Sequence, residues 1–523
     1  MRNATAVLIA LLTTASGPAR IITVDNDSPA DFATIQAAIE DANDGDTVQI
    51  RPGRYTGPGN RDIDFLGKAI TVTGTDPDDP NTVAQTIIDC NDAGRGFYFH
   101  HAEGRDSIVD GLTITKGLAG TGAGILCASG ASPTIRNNII RDNRIPFDDD
   151  GGAGIGCWLG ASPLIVGNII QNNHCEPGGG GGGIRCYEAG EPVITNNLIC
   201  GNSASSGGGI CVNFCSPVIS DCTFIGNWAM SMAGALLADR DVTLTDCAFI
   251  DNRAPSGGGL YNYYCSPTLI GCYFAGNAAE YQGGAIFNTD GCISTLRGCL
   301  FCGNAAGEIG GAIYYHSYDG TYRPACTNCT FSGNRSPRGN ALACTTHLWT
   351  GQESIHLANC ILWDGGNEIW TDAAGTVSVV FSNIKDGWTG QGNIDVDPLF
   401  TDQGRWDPNG TSEDANDDFW GDGDYHLKSQ AGRWDPNSET WVIDDVTSPC
   451  IDAGDPMSPI GPEPFPNGGI INMGAYGGAP QASRSYFNKP PCQTIVAGDI
   501  NGDCAVDFND FRLMALHWCE DNN

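Results

Sequence analysis

Residues 283–304 read GGAIFNTDGCISTLRGCLFCGN. Two strings inside this stretch recur along the chain. A Gly-rich tetrapeptide ending in Ile or Leu puts that last residue at 125, 155, 184, 210, 236, 260, 286, 313 and 342, at spacings of 24 to 30 residues. A second string follows in phase: FIGN (224–227), FIDN (249–252), FAGN (274–277), FCGN (301–304) and FSGN (331–334). Earlier copies use another apolar residue for Phe and end at Asn143, Asn173 and Asn202. Two independent strings in one phase define a structural repeat.

The runs between these strings are rich in β-formers. They are broken by Gly, Asn and Ser-Pro turns, at Ser132-Pro133, Ser162-Pro163, Ser216-Pro217 and Ser266-Pro267. No repeat holds a helical pattern. One repeat therefore reads as one coil of a β-solenoid, with coils ~4.8 Å apart and nine marked coils spanning about 40 Å. Gly permits positive φ or close packing at a corner. The recurring Asn is expected in the left-handed conformation, bonding the next coil's backbone.

Aligning the coils reads out interior columns. Two residues past the Gly-motif Ile/Leu lie Cys127, Cys157, Cys186, Val212, Ala238, Asn262, Asn288, Tyr315 and Cys344. Two before the Phe column lie Asn138, Asn168, Asn197, Cys222, Cys247, Cys272, Cys299, Cys329 and Cys360. A cysteine in every coil acts as a small buried hydrophobe in a ladder. Side chains stacked in register point the same way and suit a disulfide poorly, so most thiols are expected free. Cys299-x-x-Cys302 and Cys326-x-x-Cys329 have zinc-ribbon spacing, but Cys299 and Cys329 already belong to the ladder.

The 523 residues include 72 Gly without a Gly-X-Y period, which excludes collagen, and 41% hydrophobic residues, which excludes a disordered chain. The net charge of −35 argues against nucleic-acid partners. It also disfavours polyuronates and anionic membranes unless a cation bridges them. Residues 1–19, from MRNATAVLIALL onward, read as a signal peptide, so the chain is expected to be secreted, extracellular or at the outer cell surface. No later segment reads as a transmembrane span. The 23 cysteines are an odd number for a secreted chain.

The fold expected is all-β: a parallel β-helix over 20–394 (repeats about 120–365), a C-terminal cap module at 395–485 and a half-repeat tail at 486–523. Residues 31–55 start with an amphipathic helix (Phe32, Ile35, Ala38, Ile39) and continue into a strand, Thr47 to Ile50. That is a cap over the first open edge. Residues 56–118 read as irregular first coils, for example Ala69–Thr73 and Ile108–Thr115. Residues 395–480 are not repetitive, apart from RWDPN at 405–409 and again at 433–437. In the tail, Asp499, Asn501, Asp503, Asp507 and Asp510 fall at positions 1, 3, 5, 9 and 12 of an EF-hand-like loop, followed by an exiting helix, Phe511 to Trp518. Ca²⁺ is the cofactor expected there. Asp414, Asn416, Asp417, Asp418, Asp422 and Asp424 form a second acidic cluster, and Asp148 to Asp150 an acidic loop.

Several of these strings resemble known families. Residues 31–55 resemble the N-terminal cap of pectin-lyase-like β-helices. The GGAI and FxxN repeats are similar to those of chlamydial polymorphic outer-membrane proteins, which implies a right-handed β-helix with an adhesin role. No autotransporter barrel pattern accompanies them here. DVDPLF (395–400), DYHLKS (424–429), SPCIDAGDP (448–456) and INMGAYGG (471–478) resemble a module of secreted planctomycete β-helix proteins. Residues 499–510 resemble a dockerin loop, which implies a cohesin-like partner. They carry Cys504 where Gly is usual, and one loop where dockerins have two.

Asn288-Thr289-Asp290-Gly291 resembles the first catalytic motif of polygalacturonases. Glycoside hydrolysis needs two carboxyl groups about 5–9 Å apart. In the column of Asp290 the other acid is Glu188, four coils away. The remaining polygalacturonase motifs are missing, so Asp290 reads as a turn residue. A lyase needs a basic side chain, and Arg185 and Arg297 stand isolated. Binding has a clearer signal. If the Gly-motif Ile/Leu points inward, offsets +1 and +3 point outward, and these carry Trp158, Tyr187, Tyr261, Tyr263, Phe287, Tyr314 and His316. Tyr261, Phe287 and Tyr314 fall on successive coils, a row suited to sugar rings. The loops before each Gly motif, such as AAEYQ (278–282), vary most and supply contact surface. The expected function is non-catalytic binding of polysaccharide or a surface protein. The alternative is a polysaccharide lyase or glycoside hydrolase on this fold.

Overall fold

The computed structural model describes residues 18–146, 150–289, 291–317, 324–346, 354–372, 376–409, 418–486, 498 and 506–517. Four parallel sheets of 14, 12, 13 and 7 strands wind into a β-helix. One coil runs Ile125–Cys127 in the second sheet, Thr134–Arg136 in the first, Ile139–Arg141 in the third and Arg144–Ile145 in the fourth. The next coil then sets Ile155 directly over Ile125. The Gly-motif column continues beyond its nine marked coils, to Phe97 and Ile63 at one end and Ile369 at the other. Those coils lack the Gly motif, and their strand register is what identifies them.

Both expected interior columns are buried throughout. Phe224, Phe249, Phe274, Phe301 and Phe331 stack at centroid spacings of 4.5–4.9 Å, within 9° of parallel. That spacing follows from the strand separation, so flat rings fill the column without gaps.

The Asn ladder differs from expectation. The left-handed residue is the one before it: Asp142 (φ 57°), Asn172 (φ 54°), Gly201 (φ 62°). The Asn itself is a buried strap back to the previous coil. Asn173 Oδ1 accepts from Asn143 N (3.1 Å) and Nδ2 (2.9 Å), while Asn173 Nδ2 donates to Ile140 O at 2.9 Å. The same bonds repeat up to Asn334. Buried backbone groups at each corner find partners this way.

In the neighbouring column, Asn138, Asn168 and Asn197 hand over to cysteines. Cys222 Sγ donates to Ile194 O at 3.6 Å, as Asn197 Nδ2 does to Ile165 O at 2.9 Å. Among the described residues no two cysteines are joined by a disulfide. Among the described residues Cys299, Cys302, Cys326 and Cys329 form no metal-sized group.

Helix Ile35–Asp41 buries Ile35, Ala38 and Ile39 against the first coil, as the cap reading requires. A second helix, Pro80–Gln85, was not anticipated. Asp79 caps it, accepting from Asn81 N and Thr82 N, with Pro80 in its first turn.

The 395–485 module is more than an end cap. Residues near Ile394 pair with the last coil through Ile384 N to Ile394 O (3.0 Å). Beyond that the chain turns back along the outside of the third sheet. Phe400, Tyr425, Leu427, Cys450 and Met473 pack there on Ala275, Leu300 and Ile361. The doubled RWDPN makes two similar hairpins, Arg405–Asp407 with Phe419–Gly421 and Arg433–Asp435 with Thr440–Val442. Each closes a Trp pair edge-on, at 5.5 Å (68°) and 5.7 Å (67°), and each Asp accepts from the Asn amide two residues on. Among the described residues no helix is long and apolar enough to cross a membrane.

Candidate functional site

The outer face of the second sheet carries the side chains singled out from sequence. Trp158 and Tyr187 lie 4.8 Å apart, and Tyr187 meets Phe214 edge-on at 5.5 Å. Tyr261, Phe287 and Tyr314 form the expected row at 5.0 Å spacings. Their exposure corrects the expectation. Phe287 and Tyr314 are only 6% and 5% exposed, because Ile309 on the turn before the 310–313 motif packs onto them with Ala343. His316 is tied to Thr345 Oγ1 at 2.9 Å. Of the residues expected to face outward, Tyr263 is 41% exposed and Trp158, Tyr187, Tyr261 and His316 are half-buried, while Phe214 and Tyr264 lie exposed beside them.

Tyr261 and Tyr263 border a groove of about 540 Å³. Offset +1 supplies Arg185, Cys211, Leu237 and Tyr261, and offset +3 supplies Asn213, Asp239 and Tyr263. Gly178–Gly180, Ser205, Ser206 and Met232 make the side wall. Gly180 lets the Arg185 guanidinium pack close, since a Cβ there would lie 2.2 Å from Arg185 Nη1 and displace it. A polar chain crosses the floor. Arg185 Nη1 donates to Cys211 Sγ (3.6 Å), and Cys211 donates to Asn213 Oδ1 (3.3 Å). Asn213 Nδ2 donates to Asp239 Oδ2 (3.0 Å), and Phe214 N to Asp239 Oδ1 (2.8 Å). Burial raises the Cys211 thiol despite the nearby Arg185, so it stays neutral. Arg185 Nε and Trp158 Nε1 are enclosed without a partner. The site offers aromatic faces, one cation and one hydrogen-bonded carboxylate.

A larger groove of about 850 Å³ was not foreseen. Trp228, Asp251, Glu280 and Arg335 of the helix face Trp406, Asp418, Phe419 and Trp420 of the C-terminal module. Arg335 reaches Asp418 Oδ2 at 2.6 Å and lies 3.6 Å over the Trp406 ring. Desolvation raises the Asp251 carboxyl. The variable loop 278–282 contributes Ala278, Ala279 and Glu280 to this wall. The fold-back that supplies the other wall has no local signature.

The remaining candidates do not come together. Glu188 is exposed on a left-handed turn (φ 45°) outside both grooves, and Asp290 lies outside the described residues. Of the second acidic cluster, Asp418 pairs with Arg335, Asp422 accepts from Tyr425 Oη at 3.2 Å, and Asp424 pairs with His426 and Arg433. Asp414, Asn416, Asp417, Asp148 and Asp149 lie outside the described residues, as do Asp499, Asn501 and Asp503 of the tail loop. In the tail, Asp507 N donates to Asp510 Oδ2 at 2.7 Å, and the exiting helix is Phe508–His517.

The fold and its stacked columns define a parallel β-helix protein. The chain matches the family described as right handed beta helix region over residues 80–235 and 219–384, and it belongs to that family. Residues 367–454 match a family described as disaggregatase related. No curated protein sequence matches the chain. Among solved structures it is similar to a pectate lyase, Pel9A, at 14% identity over 91% of this chain and 98% of that one (TM-score 0.36). It is also similar to a mannuronic acid specific polysaccharide family 6 lyase from human gut microbiota, at 13% identity over 72% and 83% (TM-score 0.38). A rhamnogalacturonan lyase is similar at 14% identity over 82% and 96% (TM-score 0.33).

Proposed function

We propose that the chain is a secreted or cell-surface β-helix protein that binds a neutral polysaccharide in the 540 Å³ groove without cleaving it. The observation that carries this reading is the groove's composition. Tyr261 and Tyr263 offer ring faces beside the fixed polar line Arg185–Cys211–Asn213–Asp239. Apolar sugar faces stack on aromatics while hydroxyls exchange hydrogen bonds with such a line. The acidic chain repels polyuronates, and a single cation in the groove does not offset −35. Hydrolysis needs two carboxyl groups across one bond. Among the described residues Asp239 is the one carboxylate lining this groove, and both its oxygens already accept hydrogen bonds. On this reading residues 1–19 direct export, and the 486–523 tail holds Ca²⁺ and assists attachment to a cohesin-like or other surface partner.

A second reading, polysaccharide lyase, is favoured by Arg185 alone, whose enclosed Nε has no protein partner. One experiment separates the two. The full secreted chain, with Ca²⁺, is run on columns of neutral and acidic polysaccharides, and the effluent is assayed for reducing and unsaturated ends. Retention on a neutral glycan without product, lost in Y261A/Y263A, is the expected result. New chain ends would replace it with the enzyme reading, and no retention on any neutral glycan would remove it.

A further inference from the structure

We propose that Asp64, His100 and His101 form a binding site for a borderline divalent transition metal of the Zn²⁺ class. It lies on the outer face of the second sheet, at its N-terminal end. One ligand atom from each residue lies within 4.8 Å of the other two. His101 Nε2 is 3.3 Å and His100 Nε2 is 3.9 Å from Asp64 Oδ2. Donors sharing one tetrahedral zinc lie about 3.3 Å apart, so small rotations close the set around an ion. Two imidazoles and one carboxylate suit zinc and its neighbours, whereas Ca²⁺ and Mg²⁺ take oxygen sets.

The surroundings hold these donors in place. Gln36 on the cap helix bonds both Asp64 N (2.9 Å) and Asp64 O (3.2 Å). Asp64 Oδ1 accepts from Leu66 N at 2.8 Å, which leaves Oδ2 facing the imidazoles. The His100 ring stacks on Tyr98 at 3.9 Å and meets the His101 ring at 4.0 Å. Beneath them Glu103, 2% exposed, accepts from His101 N at 2.9 Å and keeps Oε1 without a partner. A buried carboxylate with an unused oxygen adds negative potential next to the cluster, which favours a cation there. Three protein ligands leave a tetrahedral ion one position open to solvent. The ion would tie the first coil, through Asp64, to the next, through His100 and His101.

The test is a Zn²⁺ titration of the full secreted chain at pH 7.5 by calorimetry, with reductant and excess Ca²⁺ to occupy the tail loop. H100A/H101A and D64N are titrated alongside. The expected result is one equivalent bound by the wild-type chain, lost in the double variant and weakened at least about tenfold in D64N, since even outer partners of a metal site contribute that much. Thermal unfolding should rise with Zn²⁺ in the wild-type chain, less in D64N and not in the double variant. The cysteines are common to all three proteins, so zinc taken up by thiols would appear equally in each. Equal uptake by wild type and variants, or none by the wild type, overturns the proposal. If the double variant does not fold, D64N decides with anomalous scattering from Zn²⁺-soaked wild-type crystals, where a peak away from these residues overturns it as well.

Discussion

Asn262 Nδ2 donates to Asn288 Oδ1 at 2.7 Å inside the helix, and the pair leaves Asn262 Oδ1 and Asn288 Nδ2 buried without partners. Asn288 is the first residue of the NTDG string, so part of that string belongs to the core. In the two preceding coils the same column holds Val212 and Ala238. Breaking the pair exposes the remaining amide to its full desolvation cost. N288A is therefore expected to destabilise the chain by about 1–3 kcal/mol. N262V/N288V, which removes both amides, should cost less than N288A or raise stability. Denaturant midpoints of the three variants check this. A double variant less stable than N288A would show that the pair contributes more than its two orphaned atoms cost.

Trp420 lies across a column of glycines. A Cβ on Gly303 would sit 2.1 Å from its ring and one on Gly333 2.0 Å, and both glycines have positive φ (59° and 68°). G303A therefore carries two penalties, a left-handed Ala of about 1–2 kcal/mol and a displaced indole. W420A removes the indole alone. The two should be strongly non-additive, with G303A in the W420A background costing only its backbone term. Limited proteolysis of the 388–399 segment measures how far the module loosens. Additive effects would mean that Trp420 does not seat the module on this column.

The repeat was legible because two strings shared one phase, and it gave both interior columns down to Asn138 and Cys360. Strand register does the rest, since a column of side chains follows from one residue per coil once the period is known. What escaped was anything made by distant segments. Ile309 covers Phe287 and Tyr314, yet nothing in GEIGG marks Ile309 as a lid. The fold-back that brings Trp420 to Gly303 spans more than a hundred residues. The Asp64–His100–His101 cluster joins irregular coils that lack the Gly motif, so no alignment column connected them. The left-handed corner was misplaced by one residue because Asp, Asn and Gly alternate before the ladder Asn, and all of them tolerate positive φ.

The thiols should be chemically silent in the folded chain. Burial pushes Cys90 and Cys222 up to about 12, and the same cause raises Cys127 and Cys326. The thiolate is the reactive species, so alkylation needs exposure as well as ionisation. Of the twenty described cysteines, nineteen are buried and Cys200 is half-buried. Iodoacetamide at pH 8 followed by peptide mapping should modify Cys200 alone among these, and all twenty after unfolding. Rapid native labelling of Cys247 or Cys272 would mean that the third-sheet ladder opens.

At the far end of the Asn ladder stands Asp364. Asn334 N and Nδ2 both donate to Asp364 Oδ1 at 2.8 Å, as they would to the next Asn. Glu368 accepts from the amides of Asp364, Gly365 and Gly366. Burial, and next the charge of Glu368, push the Asp364 carboxyl well up. The folded pair therefore keeps a proton that the unfolded chain releases near the ordinary carboxylate range. D364N restores the ladder's own residue and removes one buried acid. It is expected to raise stability at pH 7 and leave stability nearly unchanged at pH 3.5. Thermal melts at both pH values report it, and a loss at pH 7 would show that Asp364 is needed as a carboxyl.

Glu463 gives the C-terminal module a pH response of known sign. Its Oε1 accepts from Asn472 N and Gly478 N, both at 2.8 Å, yet burial dominates and lifts the carboxyl from 4.5 to about 7. The neighbouring Asp452 carboxyl is raised for the same first reason. A folded pKa above the unfolded one means that the folded chain binds the extra proton. Its stabilising contribution is complete below about pH 4.5 and is lost as pH rises through about 7. The shift corresponds to about 3 kcal/mol between those limits. Module opening, followed by proteolysis, should therefore speed up from pH 5 to pH 8. E463Q keeps the acceptor for both amides and carries no charge, so its profile should be flat across that window. A variant as pH-dependent as the wild type would move the response to Asp452 or to groups elsewhere in the module.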